Sequence, residues 1–125
     1  MKDNQQINLF DLMEDGPNTN QELSSEDKKI KELINRRRRQ ILVHSCLYYR
    51  MNTSLISDQA FDKWSYELVD LQRKHPEIAA QCIYAKTFET FDGSTGFDLP
   101  LENVKVVKTA EYLLLISKED KNIEK

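Results

Sequence analysis

Six side chains with binding chemistry stand close together near the middle of the sequence. They are His44, Tyr48, Tyr49, Asp58, Phe61 and Asp62. Aromatic rings can stack on a planar cation, and carboxylates can pair with positive charge or accept hydrogen bonds from hydroxyl groups. Residues three or four positions apart lie on the same face of a helix. His44 is therefore expected to lie beside Tyr48, and Asp58 beside Asp62. The two clusters flank one short polar turn, which predicts that these six candidate residues share a surface.

A long helix is predicted to carry the first cluster. Ser24 and Ser25, followed by acidic residues, form a typical helix start. Residues at helical spacing then continue to the first cluster, and they are Ile30, Leu33, Ile34, Arg37, Ile41, His44 or Ser45, and Tyr48. We therefore predict a helix from about Glu26 to Arg50, broken by the polar segment 52–54.

A second helix is predicted to carry the other cluster. Ser57 is a candidate cap, Asp58 lies in the first turn, and the helix should end at Lys74 or His75 because Pro76 follows. Its predicted core stripe is Phe61, Trp64, Leu68 and Leu71. Two helices joined by a short polar connection form an antiparallel hairpin.

The remaining sequence predicts one or two further helices, and therefore an all-α fold. Pro76 can open a third helix, whose inner side would be Ile78, Cys82, Ala85 and Phe88. The segment Asp92–Gly96 reads as a loop with too few glycines to cradle a phosphate. Beyond Pro100, a helix with Val104, Val107, Ala110 or Glu111, and Leu114 on its inner side is favoured over a strand. We predict a helical domain over 25–120 and a frayed end over 121–125.

The order of motifs resembles the small N-terminal domain of bacterial NAD-dependent DNA ligases. The matching elements are Tyr48-Tyr49, Ile56-Ser57-Asp58-Gln59-Ala60-Phe61-Asp62, Glu67-Leu68 and His75-Pro76-Glu77. In that family the domain is built from helix hairpins and docks on the nicotinamide end of NAD. The resemblance implies that the six candidate residues occupy positions that contact nicotinamide mononucleotide.

Two departures from the family pattern bear on the nucleotide site, and the first of them weighs against its retention. Phe61 stands where the family has tyrosine, and Ser54 replaces a frequent proline. A purely structural interpretation is also open, in which Tyr48 and Phe61 lock the hairpin and Asp58 only favours the helix start. We therefore expect no bound cofactor, with nicotinamide mononucleotide or NAD as the alternative.

The adenylated lysine of these ligases has no counterpart in the sequence. The lysine lies in a K-x-D-G motif and its amine is the nucleophile. Before the two Asp-Gly pairs, Met13 and Thr90 stand at the lysine position. We predict that the chain is not an enzyme.

A second motif lies in the polar first two dozen residues, which we interpret as a disordered tail over 1–24. The motif is Gln6-Ile7-Asn8-Leu9-Phe10. It resembles the peptide by which bacterial replication and repair proteins bind the sliding clamp. The resemblance implies that Leu9 and Phe10 enter an apolar pocket while Gln6 fixes the register. The alternative is that the apolar residues of this segment pack on the domain.

Composition limits the remaining possibilities. The chain has a net charge of −3, with 31% charged residues, and four consecutive arginines at 36–39. These arginines surround a helix, so direct nucleic-acid binding is not expected, and one of them should bury its stem. Cys46 and Cys82 are expected to be small buried residues inside helices. Without an apolar run or signal peptide, we expect a cytoplasmic protein with no membrane contact.

These observations favour a non-catalytic accessory of replication or repair that is tethered to the sliding clamp, and domain economy suggests a phage or mobile-element origin. One alternative is a nicotinamide-nucleotide-binding module, acting alone or in trans on a DNA ligase core. A further alternative is a phage-encoded inhibitor of a host protein.

Overall fold

The computed structural model describes residues 23–123, with side chains as far as Lys118, and this part contains four α-helices and no strand. The helices are α1 (Ser25–Arg50), α2 (Asp58–Lys74), α3 (Pro76–Ala80) and α4 (Val104–Ile123). The all-α prediction is confirmed, and the C-terminal segment that also allowed a strand is helical. Residues 6–10, which carry the clamp-binding motif, lie outside the described part.

Helix α1 begins and ends where local chemistry predicts. The Ser24 hydroxyl accepts a hydrogen bond from the backbone N–H of Asp27 at 3.1 Å, and so caps the first turn. At the other end Asn52 has a φ of 55°, a left-handed conformation that asparagine tolerates well. The backbone therefore leaves the helix there and turns toward α2.

Helix α2 completes the predicted hairpin. The Ser57 hydroxyl accepts a hydrogen bond from the N–H of Ala60 at 3.0 Å, and Pro76 follows the last turn. Leu68 is fully buried, and the other predicted stripe residues pack against the core as partly buried side chains. The predicted boundaries and inner face of α2 are confirmed.

The core forms around α1, which contacts each of the other three helices. Its fully buried apolar side chains come from the hairpin, from the segment after α3 and from α4. They include Ile34, Ile41, Leu42, Cys46, Leu47, Leu68, Phe88 and Ala110. Because α1 is apolar over much of its circumference in this region, it is the central element of the domain.

One of the four arginines is enclosed in this core. Arg38 is 2% exposed; its Nη1 donates to the carbonyl of Ile83 at 2.7 Å and its Nε donates to Gln72 Oε1 at 2.9 Å. Its guanidinium also lies 5.6 Å from the ring centre of Phe88. The expectation of one buried arginine is confirmed. However, the spacing of apolar residues along the helix predicted that Arg37, not Arg38, would face the core. Arg37 instead bonds Glu67 at 3.0 Å near the surface.

The predicted third helix is much shorter than its apolar spacing suggested. It stops at Ala80, and turns occupy residues 81–90. Tyr84 has a φ of 57°, which an α-helix cannot contain. Cys82 therefore lies beyond the helix, although it is buried as predicted. Burial raises the pKa of the Cys82 thiol and of the Cys46 thiol, which favours the unreactive protonated form.

Helix α4 is confirmed, but its inner face differs from the predicted one. Val104 is 67% exposed, whereas Val106 and Ala110 are buried and Val107 and Leu114 are partly buried. Val104 is the first residue of the helix, and its side chain is not part of the core. Its backbone is helical through Ile123, which includes residues 121–123.

Replacing Arg38 by alanine should destabilise the fold by roughly 2–4 kcal/mol, because it leaves the buried Ile83 carbonyl without its donor and opens a void beside Phe88. The free energy of unfolding in urea measures this loss. Arg36→Ala is the matched control, since Arg36 is 52% exposed and, among the described residues, pairs with Glu32 one turn away. The control should change stability by about 0.5 kcal/mol or less. Equal effects of the two substitutions would contradict the anchoring role of Arg38.

Candidate functional site

A cleft of about 260 Å³ opens at the turn of the α1–α2 hairpin. All six candidate residues line it, three from the last turns of α1 and three from the first turns of α2. The prediction that the two clusters share one surface is thus confirmed. Further lining residues are Ser45, Ser54, Ile56, Ser57, Ser94 and Thr95.

His44 forms the inner part of the α1 wall. Its ring packs edge-on against Trp64 of α2, with 5.6 Å between ring centres. Its Nδ1 is buried and has no hydrogen-bond partner among the described residues. Burial lowers the pKa of His44 below the usual 6.5, so the imidazole is neutral at pH 7. A neutral ring carries one donor and one acceptor nitrogen.

The two tyrosines form the outer part of the same wall. Tyr48 is 55% exposed and meets Tyr49 edge-on, with 4.8 Å between ring centres. Tyr49 is fixed further, because its hydroxyl lies 2.8 Å from Thr95 Oγ1 and its ring lies 5.3 Å from that of Phe97. Tyr48 is therefore the ring available for stacking, and Tyr49 supports it. The exposure of Tyr48 contradicts the alternative in which this residue belongs to the core and locks the hairpin.

The α2 wall combines an apolar ring with two free carboxylates. Phe61 is partly buried and packs against the core, whereas Asp58 and Asp62 are exposed. Neither carboxylate forms a hydrogen bond or an ion pair with any side chain that the structure describes. Asp58 also lies in the first turn of α2, where negative charge favours the helix. Asp62 lies beyond that turn, so stabilisation of the helix start is a weaker explanation for a carboxylate at this position.

Loop 92–97 supplies the remaining wall, through Ser94 and Thr95; a loop was predicted here, but not that it lines the site. Asp92 Oδ1 accepts hydrogen bonds from the hydroxyl and the backbone N–H of Ser94, at 2.6 and 2.9 Å, and these hold the pKa of Asp92 below its usual range. The Phe97 N–H donates to Thr95 Oγ1 at 3.1 Å. The Asp-x-Ser spacing could have predicted the local turn. Nothing local could have predicted its docking on a helix 46 positions earlier in the chain.

The two glycines of this loop permit close packing rather than phosphate binding. Gly93 has a φ of +88°, and a Cβ there would lie 3.0 Å from the Tyr66 ring. A Cβ on Gly96 would overlap the Ser45 hydroxyl and lie 2.8 Å from Ser45 Cβ. The loop backbone therefore contacts both helices of the hairpin, and it can do so only because these positions lack side chains.

Other kinds of site find little support in the described part of the chain. Within residues 23–123, no group of three or more histidine, cysteine or acidic side chains is arranged to hold a metal ion. In the same range, no helix has the length and apolarity to cross a membrane. The candidate residues meet in the cleft at the hairpin turn, which is therefore the candidate site.

Comparison with known proteins agrees with the motifs. Residues 27–81 match the family described as the DNA ligase-like, N-terminal NAD+-binding domain. Similar curated proteins are the DNA ligases of Petrotoga mobilis, 41% identical over 51 residues, and Thermosipho africanus, 39% identical over 51 residues. Both alignments cover 41% of this chain and 8% of the ligase. No solved structure gives a significant match.

The resemblance to the N-terminal domain of DNA ligases is confirmed for this segment. The DNA ligase of Phocaeicola vulgatus is 46% identical over 46 residues, which cover 37% of this chain and 7% of that ligase. The chain thus corresponds to less than a tenth of the length of these relatives. The family match ends at residue 81, so loop 92–97 lies outside it.

His44 should titrate below pH 6.5 in the folded protein, as NMR of its ring protons would show. Between that lowered pKa and the unfolded value near 6.5, the unfolded chain binds more protons. Stability should therefore be retained above pH 6.5 and decline as the pH falls toward the folded pKa. His44→Gln should make this decline shallower.

The matched control for this prediction is Trp64→Leu, which exposes the His44 ring to water without removing it. Its titration should then move back toward the ordinary value, because burial is the cause of the shift. A His44 pKa at or above 6.5 in the unmodified protein would show that the ring is solvated or paired with an acid.

Proposed function

We propose that the cleft binds the nicotinamide end of NAD, and that the chain is a non-catalytic nicotinamide-nucleotide-binding module. The observation that carries this proposal is the convergence of all six candidate residues on one cleft. Those residues were selected from sequence motifs alone, whereas the cleft is defined by geometry. Its position at the hairpin turn also falls within the segment that matches the NAD+-binding domain.

The lining side chains suit a pyridinium riboside. The exposed ring of Tyr48 provides a face for a planar cation, and Asp58 and Asp62 provide negative charge opposite it. Carboxylates also accept hydrogen bonds from ribose hydroxyls. Phe61 contributes an apolar contact but lacks a phenolic hydroxyl. The site therefore has the groups for recognition, with fewer hydrogen bonds than a tyrosine at position 61 would give.

We propose no bond-making step for these 125 residues. The sequence lacks a K-x-D-G lysine, and the cleft contains no lysine or cysteine nucleophile. Binding in trans to a separate nucleotide-adenylating partner is the role that this arrangement favours. Replication or repair is the corresponding process, by analogy with the DNA ligases that share the segment.

Nicotinamide mononucleotide should bind weakly, with a dissociation constant in the millimolar range, or about −4 kcal/mol. The reason is that the cleft is open to water and Phe61 cannot donate a hydrogen bond. Calorimetry or NMR titration would measure the affinity. Phe61→Tyr should strengthen binding several-fold, and Asp62→Ala should remove it.

The matched control is Asp70→Ala, the same change on the same helix but away from the cleft, where Asp70 pairs with Lys74. It should leave the affinity unchanged. If no nicotinamide-containing ligand binds, or if Asp70→Ala weakens binding as much as Asp62→Ala, the proposed function is wrong.

A separate proposal concerns the segment Gln6–Phe10, whose sequence supports tethering to a bacterial sliding clamp. A peptide of residues 1–16 should bind a clamp with micromolar affinity, roughly −7 to −8 kcal/mol. Replacing Leu9 and Phe10 together by alanine should abolish binding, because both apolar anchors are lost. Asn8→Asp is the control and should be tolerated.

The domain should not depend on this segment. Deleting residues 1–16 should leave thermal unfolding of the remainder nearly unchanged. A destabilised deletion variant would instead place Leu9 and Phe10 in the core. Lack of peptide binding to clamps from several bacteria would reduce the motif to a chance match.

A further inference from the structure

Helix α4 exposes large apolar side chains on the side that faces away from the core. Tyr112 is 61% exposed and Leu115 is 55% exposed, and Val104 is more exposed than either. Helix positions advance by about 100° per residue, so these three lie opposite the buried Val106 and Ala110. Single exposed apolar residues are ordinary, but a group of them on one face of a helix suits a partner.

Four exposed residues on this face form a line, which we call the outer stripe. They are Val104, Lys108, Glu111 and Leu115. The steps between them alternate between four and three residues, which is the spacing at which side chains follow one another along a helix and contact a second helix. Tyr112 lies at the edge of the outer stripe and is also exposed.

The outer stripe is complementary to itself. An apolar residue stands at each end, and one base and one acid stand between them. The spacing is symmetric about the point between residues 109 and 110. A second α4 in antiparallel orientation would therefore place Lys108 opposite the other Glu111, and Glu111 opposite the other Lys108. The same two-fold axis would place Val104 of each copy against Leu115 of the other.

The two central charges are available for such contacts. Neither Lys108 nor Glu111 forms an ion pair with any side chain that the structure describes. A parallel pair of α4 helices would instead bring like charges together at both positions, which is strongly unfavourable. The charges therefore select the antiparallel orientation as well as the register.

We infer that the outer stripe of α4 is a homodimerisation surface, on which a second copy of this chain packs as an antiparallel helix pair with two-fold symmetry. The stripe is only about 16 Å long, so the interface is small and the association should be weak and reversible, in the micromolar range. This inference does not rest on the proposed function. Helix α4 lies outside residues 27–81, which match the ligase domain, and none of its residues lines the cleft.

Sedimentation velocity of the full chain tests the inference. The unmodified protein should change from monomer to dimer as its concentration rises through the micromolar range. Lys108→Glu would place two acids against each other at two points of the symmetric dimer, and Glu111→Lys would do the same with two bases. Each substitution should raise the dimer dissociation constant by about tenfold or more, because like charges would then face each other across the interface.

An equimolar mixture of these two variants provides the sharpest measurement. One chain would then carry acids at both central positions and the other would carry bases, so a mixed dimer would have opposite charges at every central contact. The mixture should dimerise at least as tightly as the unmodified protein, although neither variant does so alone. Misfolding of a variant could not produce this recovery.

The apolar ends and a matched control complete the set. Leu115→Ser should weaken association, because it removes one apolar contact at each end of the symmetric pair. Lys74→Glu is the control, a charge reversal of an exposed lysine on α2 rather than on α4. It should leave the dissociation constant of the dimer unchanged.

Several results would overturn the inference. A chain that stays monomeric throughout the range would assign the outer stripe to a different partner. Dimers that tolerate Lys108→Glu and Glu111→Lys, or that are weakened as much by Lys74→Glu, would place the interface elsewhere. Variants that fail to associate when mixed would contradict the antiparallel register. None of these results would alter the binding of nicotinamide mononucleotide, so the proposed function stands or falls separately.

Discussion

One buried cation connects the parts of the fold that the structure describes. Arg38 lies in the middle of α1, bonds Gln72 of α2 and caps the carbonyl of Ile83 beyond α3. Removing a guanidinium from water is costly, and the cost is offset only when its donors find well-placed acceptors. The turn around Tyr84 must therefore hold the Ile83 carbonyl against α1. That requirement fixes where the chain travels after the hairpin.

The position of the cleft follows from this path. Once residues 81–91 are held beside the hairpin, the next segment reaches its turn, where Gly96 lies against Ser45. The hairpin alone would provide two walls, and loop 92–97 adds the third. The candidate site is thus made from a segment shared with DNA ligases and a segment outside the match. The segment outside the match supplies two of the hydroxyl groups that line the site, those of Ser94 and Thr95.

Local signals in the sequence were sufficient for the hairpin, whereas the six candidate residues that line the cleft came from the resemblance to the ligase domain. Caps at Ser24 and Ser57 and a proline after α2 fix helix ends through neighbouring residues, so they can be read without tertiary information. The choice of Arg38 over Arg37 could not be predicted, because adjacent helix positions differ by about 100° and only packing selects between them. A loop was predicted at 92–96, but its place in the wall of the cleft was not, because its contacts are with residues distant in sequence.

The close contact between Gly96 and Ser45 also couples the residue types that these two positions can accept. Any side chain at residue 96 would occupy the space of the Ser45 hydroxyl. A larger residue at position 96 therefore requires a smaller residue at position 45 or a displacement of the loop. Residue 45 lies inside the segment that matches DNA ligases, and residue 96 lies outside it. Variation at residue 45 in this chain is therefore limited by a neighbour that the shared segment does not contain.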